Sequence, residues 1–348
     1  MMKFPIAPPD EAARAAAHAR WAACAHPLGS LGVLETILED IAALTGSVDI
    51  SLTPRTLLVL CADNGVVAQG VTQTGSEVTA VITRGLVQGT TSVCRMAAVA
   101  NCRVVPVDMG VKDFEPVPGV LDRCIGNGTG DITQGPAMTR AQAERAIQTG
   151  IDLVAEEKAR GTRLLATGEM GIGNTTTTSA VTAALLGLPP DTITGRGAGL
   201  SDEGLRRKRS AVTRALLVNA PNPDDPIDVL FKVGGLDIAG LCGVFLGGAI
   251  HRVPVLVDGA ISAAAALCAV RLAPAAGQAV IATHLSAEPV GRLLLQALGK
   301  RPFITADMRL GEGTGAVAAI PLLDMAQAVY AEGGSFEDCG IPAYHSFS

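Results

Sequence analysis

The segment Thr162-Arg163-Leu164-Leu165-Ala166-Thr167-Gly168-Glu169-Met170-Gly171-Ile172-Gly173-Asn174-Thr175-Thr176-Thr177-Thr178 decides the fold. It begins as a short apolar run, Thr162 to Ala166, passes through glycines and continues into small residues that suit a helix. Five other runs behave alike: Thr56 to Ala62, Arg103 to Val107, Asp228 to Val233, Val253 to Val257 and Ala279 to Ala282. Nearly all are apolar without alternation, as expected of strands covered on both faces, so the six predict a parallel α/β sheet. Their ends read Asp63-Asn64-Gly65, Asp108-Met109-Gly110, Thr167-Gly168-Glu169, Gly234-Gly235, Asp258-Gly259 and Thr283-His284. Ligands of open α/β sheets bind beyond the carboxyl ends of the strands, and this glycine-bearing edge is therefore the candidate site.

Helices are expected between the runs. Thr139 and Gln142 form a capping-box pattern opening a helix towards Gly161, and Leu34, Ile37, Leu38, Ile41 and Leu44 make an amphipathic stripe ending near Gly46. Pro221 to Pro226 reads as a rigid turn before a strand. The expected organisation is a small helical unit from residues 1–50, a large α/β domain over 51–308, and a segment 309–348 that completes the small unit. Pro321 should kink or interrupt the last helix.

The 348 residues carry 27 Lys and Arg against 33 Asp and Glu, a net charge of −6 that argues against broad adhesion to nucleic acid or anionic lipid. No run of eighteen uncharged apolar residues exists, and Pro5, Pro8, Pro9, Asp10 and Glu11 stand where a secretory signal would be apolar, so a cytoplasmic protein with no membrane partner is expected. The eight cysteines contain no Cys-x-x-Cys pair and read as reduced core thiols. Forty glycines against ten aromatic residues mean that much backbone turns tightly or approaches something closely.

Chemistry concentrates in two motifs. In the glycine loop, free N–H groups of Gly171, Ile172 and Gly173 and the start of a helix at Asn174, Thr175 and Thr176 converge where a phosphate would be attracted. It is neither a P-loop nor a dinucleotide fingerprint, and the plain alternative is a capped strand-to-helix turn. Glu169 inside such a loop needs a catalytic or positioning task. The second motif is Arg309-Leu310-Gly311-Glu312-Gly313-Thr314-Gly315, in which a carboxylate flanked by glycines can press against a ligand as general base, or be an ordinary solvated Glu. Arg206, Arg207, Lys208 and Arg209 could supply a cation to a phosphate, or form a solvated helix face. Asp63 and Asp258 could orient hydroxyls or bond turn amides, whereas Asp108 suits the turn role. His284 with Glu288 lacks the second histidine that metal ligation would want, and Ser286 serves as a helix cap there. His18, His26, His251 and His345 are scattered.

Taken together, Pro27 to Gly32, Ala62 to Val66, Gly168 to Thr177, Lys232 to Asp237, Val257 to Gly259, Ser286 to Pro289 and Arg309 to Gly315 resemble the nicotinate-nucleotide:dimethylbenzimidazole phosphoribosyltransferase family, in order along nearly the whole chain. The resemblance implies a Rossmann-like domain, a small domain from both ends, a homodimer and no metal or other cofactor. It implies transfer of phosphoribose from nicotinate mononucleotide to an aromatic base, giving α-ribazole 5'-phosphate and nicotinate for the cobalamin lower ligand. Glu312 then falls on the catalytic base, Glu169 on the loop glutamate and Lys208 on the phosphate-side lysine. Gly171 to Thr176, Asp63, Thr72, Asp258, Gly259, Ser286, Leu310, Gly311 and Gly313 complete the expected substrate contacts. The chain departs from the family pattern at His26-Pro27-Leu28, Thr72 to Gly75, Val81 (a base-pocket glutamine elsewhere) and Val290-Gly291, mostly on the base side. Adenine or a phenolic compound is thus an alternative acceptor, and a non-catalytic nucleotide-binding protein an alternative function.

Overall fold

A computed structural model of the chain describes residues 2–344; His345 lies outside them. Helices α1 (Glu11–Ala23) and α2 (Val33–Thr45) precede β1 (Arg55–Ala62), α3 (Glu77–Gln88), α4 (Ser92–Val99), β2 (Arg103–Gly110) and β3 (Leu121–Asp122). Then come α5 (Arg140–Ala159), β4 (Leu164–Met170), α6 (Asn174–Leu186), α7 (Pro190–Ile193), α8 (Asp202–Asn219), α9 (Pro226–Val233) and α10 (Leu236–His251). The chain ends with β5 (Val255–Val257), α11 (Ala260–Leu272), β6 (Val280–Ala282), α12 (Val290–Ala297) and α13 (Thr314–Glu332).

The strands form one six-stranded parallel sheet in the order β3-β2-β1-β4-β5-β6. The chain runs outward from β1 to β3 and then returns to place β4 on the other side of β1, so a crevice opens beyond the ends of β1 and β4. β1 is buried throughout because both faces are covered. Leu58, Leu60 and Ala62 pack with residues of α5, α6, α9, α10 and α11, and Leu57, Val59 and Cys61 pack with residues of α1, α2, α4 and α13. That double burial is why the strand reads as a continuous apolar run.

Two elements differ from the sequence reading. Asp228 to Val233 is helix, not strand: Asp225 caps it by accepting from the Ile227 and Asp228 amides, Pro226 occupies its first turn, and Asp228 pairs with Lys232 one turn on at 2.9 Å. The turn 221–226 therefore precedes a helix. The sixth strand is the two-residue edge β3, pairing Leu121 with Val107 and Asp122 with Asp108. The Thr139 capping box and the left-handed Gly46 that ends α2 form as read.

Close approach explains several glycines. α5 and α10 touch backbone to backbone: a Cβ on Gly150 would stand 2.0 Å from the Gly240 carbonyl oxygen and one on Gly243 1.9 Å from that of Ile147. The terminal helices meet where Trp21 packs at a tilt against Tyr330, 5.1 Å between ring centroids, while Arg20 donates to the Tyr330 carbonyl. α13 is apolar over most of its length, but Ala316, Val317, Ile320 and Leu323 are buried on both sides of Pro321 and the helix is not interrupted there. Five cysteines are buried as expected; Cys94 is half-buried, and Cys124 and Cys339 are exposed.

Candidate active site

The glycine loop is built from below by β1. A Cβ on Gly171 would stand 2.3 Å from the Ala62 carbonyl oxygen, so only glycine lets β4 turn against the end of its neighbour. Asp63 accepts from the Thr79 hydroxyl at 2.7 Å and the Lys112 amide at 2.8 Å, and the Thr79 oxygen in turn accepts from the Ile172 amide at 3.1 Å. Asp63 thus holds the loop in place and lines a neighbouring cavity rather than the main one. Gly173, at φ +95°, turns the chain into α6. Thr175 lines the main cavity, and its hydroxyl accepts from Lys208 Nζ at 2.7 Å.

Lys208 is 1 % exposed and lies beneath Thr175, whose hydroxyl is its one hydrogen-bond partner among the described residues. Burial pulls its ammonium down to about 8, although the Glu288 carboxylate works the other way. A buried cation with one neutral partner is strongly disposed towards an anion. Of the basic cluster Lys208 is the buried member; Arg209 is half-buried with its Nε out of solvent, Arg207 pairs with Glu203, and Arg206 and Arg207 line a groove elsewhere. Thr176 is fully buried, away from the cavity, with its hydroxyl unpartnered.

Glu312 sits in a run of left-handed backbone, φ +89° at Gly311, +61° at Glu312 and +97° at Gly313. The two glycines adopt this freely, and Glu312 is held there by its surroundings. Asp258 does much of the holding: its carboxylate accepts from the Gly313, Gly315 and Ala316 amides at 3.1, 2.7 and 3.2 Å, capping α13. Its oxygens serve this cap, and the residue also lines the main cavity. Glu312 Oε2 is buried without a hydrogen-bond partner, and burial raises the carboxyl above the ordinary range against the opposing pull of the Val93 amide and Thr91 hydroxyl.

Glu169 stands between the two motifs. It is buried, and burial together with the Asp237 carboxylate pushes it up to about 8. Asn174 Nδ2 donates to Glu169 Oε2 and, at 3.1 Å, to Asp237 Oδ2. Asp237 itself is pushed up to about 6 by burial. His284 packs its ring against Gly315 beside Asp258; burial lowers its basicity and Asp258 raises it.

One cavity of about 260 Å³ collects these groups. Of the residues read from sequence, Thr72, Glu169, Gly171, Ile172, Asn174, Thr175, Asp258, Gly259, Ser286, Leu310, Gly311 and Glu312 line it. Gly173, Thr176, Lys208, Asp63 and Gly313 do not, and act on it, where they act, through neighbours. Ser286 accepts from the Glu288 amide at 3.3 Å and caps that turn, four residues ahead of α12. Val81 is 60 % exposed on α3 and faces the neighbouring cavity, whereas Ile82 lines the main one. The base-side departure expected at Val81 therefore falls outside the main cavity. Sequence reading missed Arg196 and His284 as lining residues and Asp237 as a partner of the loop. Arg196 was signalled by its glycine-rich surroundings, Gly195 to Gly199; Asp237 closes the Lys232 to Asp237 segment, but nothing in that segment tied it to the glycine loop.

A parallel sheet that offers an anion-seeking loop and a buried carboxylate to one cavity at its switch point defines an α/β group-transfer enzyme. A family model described as phosphoribosyltransferase matches residues 6–341. A nicotinate-nucleotide--dimethylbenzimidazole phosphoribosyltransferase of Acetivibrio thermocellus is 46% identical over 91% of both chains, and one of Desulforudis audaxviator is 44% identical over 97% of this chain and 96% of its own. The crystal structure of CobT from Thermus thermophilus, 41% identical, superposes with a TM-score of 0.91 over 96% of this chain and 100% of that one. The chain belongs to the nicotinate-nucleotide:dimethylbenzimidazole phosphoribosyltransferase family, and the protein is a phosphoribosyltransferase.

Proposed function

We propose that the protein transfers the 5-phosphoribosyl group of nicotinate mononucleotide to a ring nitrogen of 5,6-dimethylbenzimidazole, releasing nicotinate and α-ribazole 5'-phosphate. The observation that carries this reading is the pairing, across one cavity, of a Lys208-backed Thr175 at the glycine loop with a buried Glu312 oxygen that has no partner.

The phosphate is held at the glycine loop by Thr175 and, through it, Lys208, the Ile172, Asn174 and Thr176 amides being engaged by Thr79, Gly171 and Gly173, so that remote binding energy fixes the sugar. The bond from C1' to the pyridinium nitrogen breaks with its electron pair moving to nitrogen, which relieves the positive charge of the leaving group. One azole nitrogen forms the new bond to C1'. The proton on the other nitrogen becomes acidic and passes to Glu312, whose raised basicity suits the task.

Within the same reading, the walls favour an apolar base. Val71, Ile82, Met170, Leu200 and Leu310 line the cavity, while the Thr72 hydroxyl is spent on the Thr74 carbonyl and the Gln73 amide on that of Gly199. A substituted benzimidazole suits such a surface better than adenine, whose amino edge wants polar partners. A cytoplasmic homodimer belongs to the reading too, and sedimentation velocity tests the dimer. The main test is release of free nicotinate and formation of the riboside on mixing nicotinate mononucleotide with 5,6-dimethylbenzimidazole; no release with any azole or phenol would overturn the reading.

A further inference from the structure

Asp237 opens α10 behind the wall of the cavity and is fully buried. Its Oδ2 would stand 3.1 Å from a Cβ on Gly171 and its Oδ1 2.4 Å from one on Gly235, so it is packed directly beneath the glycine loop. The single side-chain NH2 of Asn174 serves both Asp237 Oδ2 and Glu169 Oε2. Two carboxylates brought this close in a dry interior cannot both be charged, because like charges at short range in low dielectric repel strongly. The other oxygen of Glu169, Oε1, lies 2.8 Å from where a Cβ on Gly311 would be, turned towards the Glu312 loop.

We propose that Asp237 is a positioning residue: its charge, set against Glu169 on the other side of the shared Asn174 amide, holds Glu169 as a neutral carboxylic acid whose Oε1 presents a hydroxyl to the cavity. Asp237 keeps the charge, since its carboxylate also accepts from the Ile238 amide at 2.9 Å at the N-terminus of α10, where the helix dipole favours an anion. The Asp258 and Glu312 carboxylates also disfavour ionisation of Glu169, whereas the N–H that Asn174 donates to it and the Asp63 carboxylate that faces Asp237 work the other way. The upward shift of Glu169 to about 8 accords with this geometry. The inference rests on the proposed transfer reaction for its use, Glu169 donating a hydrogen bond to a sugar oxygen while Glu312 accepts a proton, but not for its test.

Infrared difference spectroscopy of the substrate-free protein at pH 7 should show a protonated-carboxyl C=O band that is absent in Glu169→Gln and strongly reduced in Asp237→Asn. Its absence from the wild type, or its survival in Glu169→Gln, overturns the proposal whatever the enzyme transfers. In turnover, Asp237→Asn lowers the alkaline limb of the kcat/KM profile by at least about one pH unit, because losing the neighbouring charge lets Glu169 ionise sooner. Activity near pH 6 is then affected far less than activity at pH 8. A merely structural role would lower activity equally at every pH and leave the limb in place, and that result would also overturn the proposal. If Asp237→Asn fails to fold, the band in wild type and Glu169→Gln still decides the matter.

Discussion

The Glu312 carbonyl oxygen lies 2.4 Å from the point a Cβ on Gly168 would occupy, and the carbonyl carbon 2.8 Å from it. The strand that leads into the glycine loop and the loop that carries the carboxylate are therefore pressed together backbone to backbone. Gly168→Ala cannot be absorbed by a flexible side chain. It should cost about 1–3 kcal/mol of stability as an overpacking change and, by displacing Glu312, lower kcat by up to about 100-fold. Thermal melts and steady-state rates on the same preparation check both.

Glu312→Gln keeps the size of the side chain and removes its basicity. Turnover should fall by about 100- to 10,000-fold, with donor affinity by calorimetry and the melting temperature little changed. Near-normal nicotinate release would take the proton-accepting role away from this residue.

Lys208→Met separates anion binding from stability. In the folded protein the ammonium loses its proton near pH 8, against about 10.4 in an unfolded chain. Between those values the unfolded state binds the extra proton, so wild-type stability should rise with pH across that window, and the variant should lack the rise. At neutral pH the variant should be more stable by up to about 3 kcal/mol, yet inorganic phosphate should raise the melting temperature of the wild type and not of the variant.

For Glu169 the sign is reversed. Its folded-state value near 8 exceeds the ordinary 4.5, so its contribution is fully present below the ordinary value and is lost as pH rises through about 8. Glu169→Gln should melt like the wild type at pH 4 and above it at pH 8. Asp237, raised to about 6, leaves a shallower slope over the lower part of that range. Equal melting temperatures at pH 8 would contradict the burial argument.

Asp225→Ala tests the helix that replaced an expected strand. Loss of the cap on the Ile227 and Asp228 amides should cost about 1 kcal/mol, measurable by denaturant titration, with turnover unchanged because α9 contributes nothing to the cavity lining.

Much of the sheet is legible because a strand buried on both faces must be largely apolar, as β1 is from Leu57 to Ala62. The same rule misleads at 228–233, where a run of six is too short for its period to speak. The Asp225-Pro226 start and the Asp228–Lys232 spacing were the better signals. β3 has two residues at the sheet edge and no pattern to read. At the site, the glycine loop and the Glu312 turn are legible since each is made of adjacent residues. Asp237 is not, because only the topology brings α10 beneath Asn174. Val81 and Ile82 show the same limit at one residue's resolution: the phase of α3 decides which of the two enters the cavity.

The turn bearing Glu312 is anchored by Asp258, and both lie far downstream of the glycine loop. As the polypeptide leaves the ribosome, the loop proposed to grip the phosphorylated sugar is made well before the group proposed to deprotonate the incoming base. A chain cut short by a premature stop ahead of that turn would lack the proposed proton acceptor altogether, so on that proposal translation through residue 312 is a condition for activity.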